Sequence, residues 1–296
     1  MGGLLARRAL FADESGRSAT RVALHRTDPD TNGLAAAGEL LVAGEGREEA
    51  ARLLRRRGFT HIGTAGSVVR LMRPTAGMAE ILGACDALRG LGVSAAPNYV
   101  TAVAAVGKGG SGLGLALPTT AMPGDRPVDD PRGAGVRVAV IDTGIAPESV
   151  GASHGWLDGI EVDHTADGNC DLLDAVPAPD GFLDEAAGHG TFVAGIVRQI
   201  APSCHVQAIK VLDSDGVGTD FSVAEALFRL ADAQDAPDLV NLSLVCSSDE
   251  TTGPIAIEAA IEALTMRHPA TLVVAAAGND GGATKATRTV SVSSGR

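Results

Sequence analysis

Val136-Arg137-Val138-Ala139-Val140-Ile141-Asp142-Thr143-Gly144 is an apolar run that stops on a carboxylate and a glycine. With no polar residue between Val138 and Ile141, it predicts a strand buried on both faces. The same pattern recurs at Val206 to Val211, Leu239 to Leu244 and Leu272 to Ala277. Between these runs the apolar residues take helical spacing: a helix from Thr191 to Gln199, a second with Phe221, Ala224, Leu227, Phe228 and Ala231 on one face, and a third marked by Ile257, Ile261 and Leu264. Strands of this kind alternating with amphipathic helices imply an α/β fold, a parallel sheet covered by helices on both faces. Function in such sheets gathers at the carboxyl ends of the strands. Asp142 and Asn279 both stand just past predicted strand ends.

Working back toward the N-terminus, residues 1–37 show no firm pattern. Residues 38–103 read as a small separate unit. Leu40-Leu41-Val42 predicts a strand, and the segment after Gly46 a helix with Ala50, Ala51 and Leu54 on one face. Phe59 to Ile62 and Val68 to Met72 predict two more strands, joined through Ala65-Gly66-Ser67. Met78, Ile81, Leu82, Cys85 and Leu88 form a helical stripe, and Tyr99, Val100 and Val103 a last strand. The order βαββαβ is that of a ferredoxin-like sandwich. Residues 104–135 are a Gly/Pro/Ala-rich linker, 136–280 hold the parallel α/β part, and 281–296 form an atypical polar tail. Gly107-Lys108-Gly109-Gly110-Ser111-Gly112 matches G-x-G-x-x-G, but Gly114, Pro118 and Pro123 follow it instead of a helix, so it predicts no dinucleotide site.

Composition narrows the function classes. The net charge of −12 is uneven: residues 1–130 carry 15 basic and 13 acidic groups, residues 131–296 carry 9 and 23. The acidic half argues against nucleic acid or an anionic membrane as a partner. It suits a neutral-to-basic partner, including the chain's own N-terminal half. The four cysteines, Cys85, Cys170, Cys204 and Cys246, have no metal-ligand spacing and read as buried free thiols, with a disulfide open to an exported protein. Arginines, Asp13 and Glu14 interrupt the first residues, so as written the chain reads as cytoplasmic, and as secreted if the start lies elsewhere.

Three motifs carry chemistry, in order: Asp142-Thr143-Gly144, Gly188-His189-Gly190-Thr191 and Ala277-Gly278-Asn279. Together they resemble the subtilisin-like serine peptidases. The resemblance covers roughly residues 38–280 and is strongest after 135. It implies peptide-bond hydrolysis through an acyl-enzyme, with no organic cofactor, on a polypeptide substrate; family members often bind Ca²⁺, but the acidic run here has no ligand spacing and no metal is expected. His189 would be the general base, Asp142 the carboxylate that orients it, and Asn279 the donor to the oxyanion. It also makes residues 38–103 resemble a pro-domain whose last strand, through Ala96-Pro97-Asn98-Tyr99-Val100, leads into the active site. Asn241, Ser243 and Leu244 would wall the substrate cleft on one side, and Gly216 and Gly218 on the other. At Val245, where the family has glycine, a side chain is expected to crowd the substrate.

The family nucleophile is a serine in Gly-Thr-Ser, and that tripeptide occurs nowhere in the 296 residues. Ser291, Ser293 and Ser294 have no helix-start context. The chain by itself is therefore expected to be inactive, as a peptidase truncated or frameshifted before its serine with its sheet missing a C-terminal part. A peptide-binding pseudoprotease and a split enzyme completed by a second chain are the alternatives. The nine acidic residues from Asp158 to Glu185 read as a solvated loop without ligand spacing.

Overall fold

The computed structural model describes residues 22–28, 31–103, 130–146, 157, 160–162, 170–176, 179–246, 248 and 253–276. Most of the expected linker, the expected tail and Asn279 lie outside these residues.

The chain builds two sheets with a pair of helices between them. The first sheet holds β1 (Val22–Asp28), β2 (Thr31–Ala43), β3 (Thr60–Ala65), β4 (Val68–Met72) and β5 (Ser94–Val103), in the order β5-β2-β4-β3 with β1 also on β2. All of these pairings are antiparallel. The strand expected at Leu40–Val42 is far longer. It begins at Thr31, because β1 supplies a partner to its first half that the mixed polar sequence did not announce. Helices α1 (Arg47–Arg56) and α2 (Met78–Arg89) cover one face, burying Leu54, Ile81, Cys85 and Leu88 against Leu40, Val42, Val69 and Leu71.

The second sheet is parallel, in the order β12-β10-β6-β8-β7, with β6 (Arg137–Asp142) central. Its other members are β7 (Glu161–Val162), β8 (His205–Lys210), β10 (Leu239–Leu242) and β12 (Leu272–Ala275). Helix α3 (His189–Ile200) packs on one face, over Val138, Val140, Val206 and Ala208. Helices α4 (Asp220–Asp232) and α5 (Ile255–Arg267) pack on the other, over Ala139, Ile141, Val240 and Leu242.

The same two helices also meet the free face of the antiparallel sheet, through Leu41, Ala43, Ala65 and Val68. The layers thus run α1/α2, antiparallel sheet, α4/α5, parallel sheet, α3. Close approach needs a glycine at the β3–β4 turn: Gly66 has φ +50, and a Cβ there would overlap the Phe228 ring of α4. The start of α4 is closed by a capping box between Thr219 and Ser222.

The single strand expected over Leu239–Leu244 is two. The chain breaks at Ser243, and β11 (Leu244–Cys246) leaves the parallel sheet to pair with β5. No helix among the described residues is long and apolar enough to cross a membrane.

Candidate functional site

Asp142 closes the central parallel strand, so its carboxylate sits at the sheet's carboxyl edge, only 1% exposed. Oδ1 accepts the Thr143 N–H at 2.7 Å and faces Nδ1 of His189 at 2.8 Å. The bond forms with Nδ1 carrying the proton and the carboxylate oxygen accepting it. His189 is the first residue of α3, entered through Gly188 at φ 78. Gly190 is needed next: a Cβ there would overlap the Gly144 carbonyl oxygen and lie 3.2 Å from Asp142 Cβ. Thr191 ties the same turn to the chain after β6, its hydroxyl accepting the Ala146 N–H at 2.8 Å. The His189 side chain is 22% exposed against 1% for Asp142, a ring reachable from outside and backed by a buried carboxyl group.

Two ionisable groups near this pair, one buried and one half-buried, were missed in the sequence. Asp171, grouped there with a solvated acidic loop, is fully buried. Burial pushes its carboxyl above the ordinary range, opposed by hydrogen bonds from Thr143 and Gly188 and by the charge of Lys210. Lys210 donates to the Thr143 carbonyl at 2.8 Å, and burial lowers its pKa against the pull of Asp171 and Asp213. Asp184 is also structural, accepting the N–H groups of Ala175 and Val176. A charge run in sequence does not distinguish acids that meet water from acids that fold back on backbone donors. Among the described residues no cluster of three or more His, Cys, Asp or Glu is placed to hold a metal.

The segments expected to wall the cleft pair with a strand of the chain itself. The end of β5 lies between β9 (Val217–Thr219) and β11, antiparallel to both. Thr101 stands opposite Gly218 and Cys246, Ala102 opposite Val217 and Val245, and Val103 opposite Leu244. The Val103 N–H donates to the Gly216 carbonyl at 2.9 Å. Of the expected cleft residues, Gly216, Gly218 and Leu244 therefore contact this strand. Asn241 and Ser243 instead bond each other at the strand break, 3.0 Å apart. Val245 does not crowd the strand: side chains stand off a sheet rather than between its strands, and β5 pairs across it in unbroken register.

One level further out, Asn98 of β5 accepts the Phe221 N–H at the start of α4, 3.1 Å away, and donates to Glu39 at 2.7 Å. Glu39 in turn receives both arms of Arg70, at 2.8 and 2.7 Å. Asp220, also fully buried, accepts the N–H groups of Ala256 and Ile257 that open α5.

The profile of the Subtilase family (Peptidase_S8) matches residues 133–295, more than half of the chain. The chain belongs to the subtilase family. Subtilisin BL of Lederbergia lenta is 32% identical over 158 residues, covering 50% of this subtilase and 49% of its own length. The thermophilic serine proteinase of Bacillus sp. (strain AK1) is 32% identical over 163 residues, 51% of this chain and 35% of its own. The chain thus spans about half the length of the first of these relatives and about a third of the second. Fervidolysin of Fervidobacterium pennivorans, a keratinolytic enzyme related to subtilisin, shares the fold with a TM-score of 0.50 at 15% identity. That match covers 82% of this subtilase and 40% of fervidolysin.

Proposed function

We propose that this subtilase supplies the carboxylate, the base and the substrate-binding strands of a serine-type endopeptidase. Its substrate is a polypeptide bound as an extended strand between β9 and β11. His189 takes the proton of a seryl hydroxyl as it attacks the peptide carbonyl and returns it to the leaving amine. Asp142 holds the ring in the Nδ1–H tautomer and stabilises the imidazolium that forms. Asn279 donates to the oxyanion, and the serine comes from sequence outside these 296 residues, in the same chain or in a second one. The N-terminal unit acts as an inhibitor in place, with residues 101–103 of β5 standing where substrate would lie.

The observation that carries this reading is the join of two facts: a 2.8 Å His189–Asp142 bond at a strand end, and a strand of the chain already paired between β9 and β11. A second reading, a peptide-binding protein without hydrolysis, draws on the absence of Gly-Thr-Ser from the 296 residues. A fluorophosphonate probe separates the two. The 296-residue chain is expected to stay unlabelled. The same chain extended along its own coding sequence, or mixed with the product of the adjoining gene, is expected to be labelled at one serine, and His189→Ala to remove that label. A folded extended chain and a mixture that both stay unlabelled, or a label that survives His189→Ala, would overturn the peptidase reading.

A further inference from the structure

Asp171 is joined to both halves of the His189–Asp142 pair through their chain neighbours. One oxygen, Oδ2, accepts the Thr143 hydroxyl at 2.8 Å and the Gly188 N–H at 2.8 Å. Thr143 directly follows Asp142, and Gly188 directly precedes His189. The Thr143 hydroxyl, having given its proton to Asp171, accepts the Gly190 N–H at 3.0 Å. The bonds close into a ring: Asp142, Thr143, Asp171, Gly188, His189 and back through Gly190 to Thr143.

The segment bearing Asp171 is itself held from several sides. Its N–H donates to the Ile145 carbonyl at 3.0 Å, just beyond β6. Leu173, two residues on, has φ 63 and is the only non-glycine with positive φ among the described residues. Its N–H returns to Asp171 Oδ1 at 3.3 Å, and its carbonyl accepts the Asp184 N–H at 2.8 Å. A leucine kept in the left-handed region is strained, and such strain persists only where its surroundings over-determine it. An acid buried to 0% exposure, bound to three donors and followed by a strained residue has the marks of a positioning device.

We propose that Asp171 is the positioning residue of this site, acting through Thr143 and Gly188 to hold the His189 ring at bonding distance from Asp142. The inference rests on the peptidase reading for its purpose, but its geometry can be tested without hydrolysis. A base must be held near its productive orientation to act, and the ring of bonds does this from the backbone on both sides.

The test uses the full chain labelled with ¹⁵N-histidine, with His189→Gln to assign the ring among the seven histidines. The wild type is expected to show one His189 tautomer, protonated at Nδ1, with a far-downfield Nδ1–H proton signal. Asp171→Ala is expected to lose that signal and give mixed tautomers, while the other histidines keep their shifts. Should Asp171→Ala fail to fold, Thr143→Val and Thr143→Ser decide: the valine loses the signal, and the serine, which keeps the hydroxyl, retains it. A folded Asp171→Ala or Thr143→Val chain with an unchanged His189 spectrum would overturn the proposal. An extended chain and a mixture that both stay unlabelled, beside an intact ring signature, would sink the peptidase reading and leave this one standing.

Discussion

The two sheets of this molecule finish their burial differently. The antiparallel sheet is covered on both faces, by α1 and α2 on one side and by α4 and α5 on the other. Its β5 edge is paired as well, by β9 and β11. The parallel sheet is covered on its α4/α5 face, but its α3 face is covered only in part. Leu272 and Val274 lie in register with Leu239 and Asn241, hence on the α3 side, and are 58% and 43% exposed. The outer stripe of α3, at Phe192, Ile196 and Ile200, is 66%, 40% and 66% exposed. Parallel strands are normally buried on both faces. Among the described residues, then, the antiparallel half is covered on both faces, and the half bearing His189 and Asp142 leaves part of one apolar face exposed.

Breaking the contact between the two halves has the largest expected effect. Phe228, 6% exposed, fills the space left open by Gly66. Phe228→Ala is expected to cost about 3–5 kcal/mol, read as a lower urea midpoint. An unchanged midpoint would mean that the halves do not stabilise each other.

Asp220, buried between the halves, sets a pH dependence. Burial pushes its carboxyl from 3.8 up to about 7, against the N–H groups of Ile257 and Ala256. The folded state therefore binds the proton more tightly than the unfolded one, and stability falls as pH rises from about 4 to about 7. At about 1.4 kcal/mol per unit this amounts to at most roughly 4 kcal/mol. Asp220→Asn is expected to flatten urea midpoints measured across that window, and a mutant slope equal to wild type would reject the assignment.

Thr101 sharpens the comparison at the cleft. It is fully buried in the β5 strand, and its hydroxyl has no hydrogen-bond partner. Thr101→Val removes that unsatisfied group and is expected to stabilise by about 1–3 kcal/mol. Slower hydrogen exchange at Ala102 and Val103 would report the tighter strand, and unchanged exchange would show that the hydroxyl costs nothing there.

The smallest expected effect on stability is at the open face. Ile200→Lys is expected to change the urea midpoint by no more than about 0.5 kcal/mol, as for other exposed sites. It is also expected to reduce concentration-dependent self-association measured by sedimentation, because the exposed stripe is a sticky patch. A large loss of stability would show that Ile200 is covered after all.

Sequence periodicity located β4, α2, α3 and four of the five parallel strands to within a residue or two, because each buries a continuous apolar face that apolar spacing reveals; β7, two residues long, gave no such signal. Asp142 and His189 were legible for a related reason: a carboxylate ending an apolar strand and a histidine between glycines are local patterns. Asp171 was not, since in one dimension it is one acid among nine in a polar stretch. Its burial depends on Thr143, 28 residues earlier, and on Gly188, 17 residues later. The same holds for the break at Ser243. Both Leu239–Leu242 and Leu244–Cys246 are apolar, and only the arrival of β5 assigns the second piece to a different sheet.

What the sequence determined by itself is the set of elements, the order of the chemical markers and the family, all properties of local apolar spacing and short motifs. What only the tertiary structure decided is which strand pairs with β9 and β11, which acids are buried and which apolar face stays open among the described residues. Those are matters of long-range pairing: a hydrogen-bonding edge, a carboxylate or a leucine stripe takes its environment from whatever segment the fold brings against it, and nothing in its own neighbours along the chain records which segment that is.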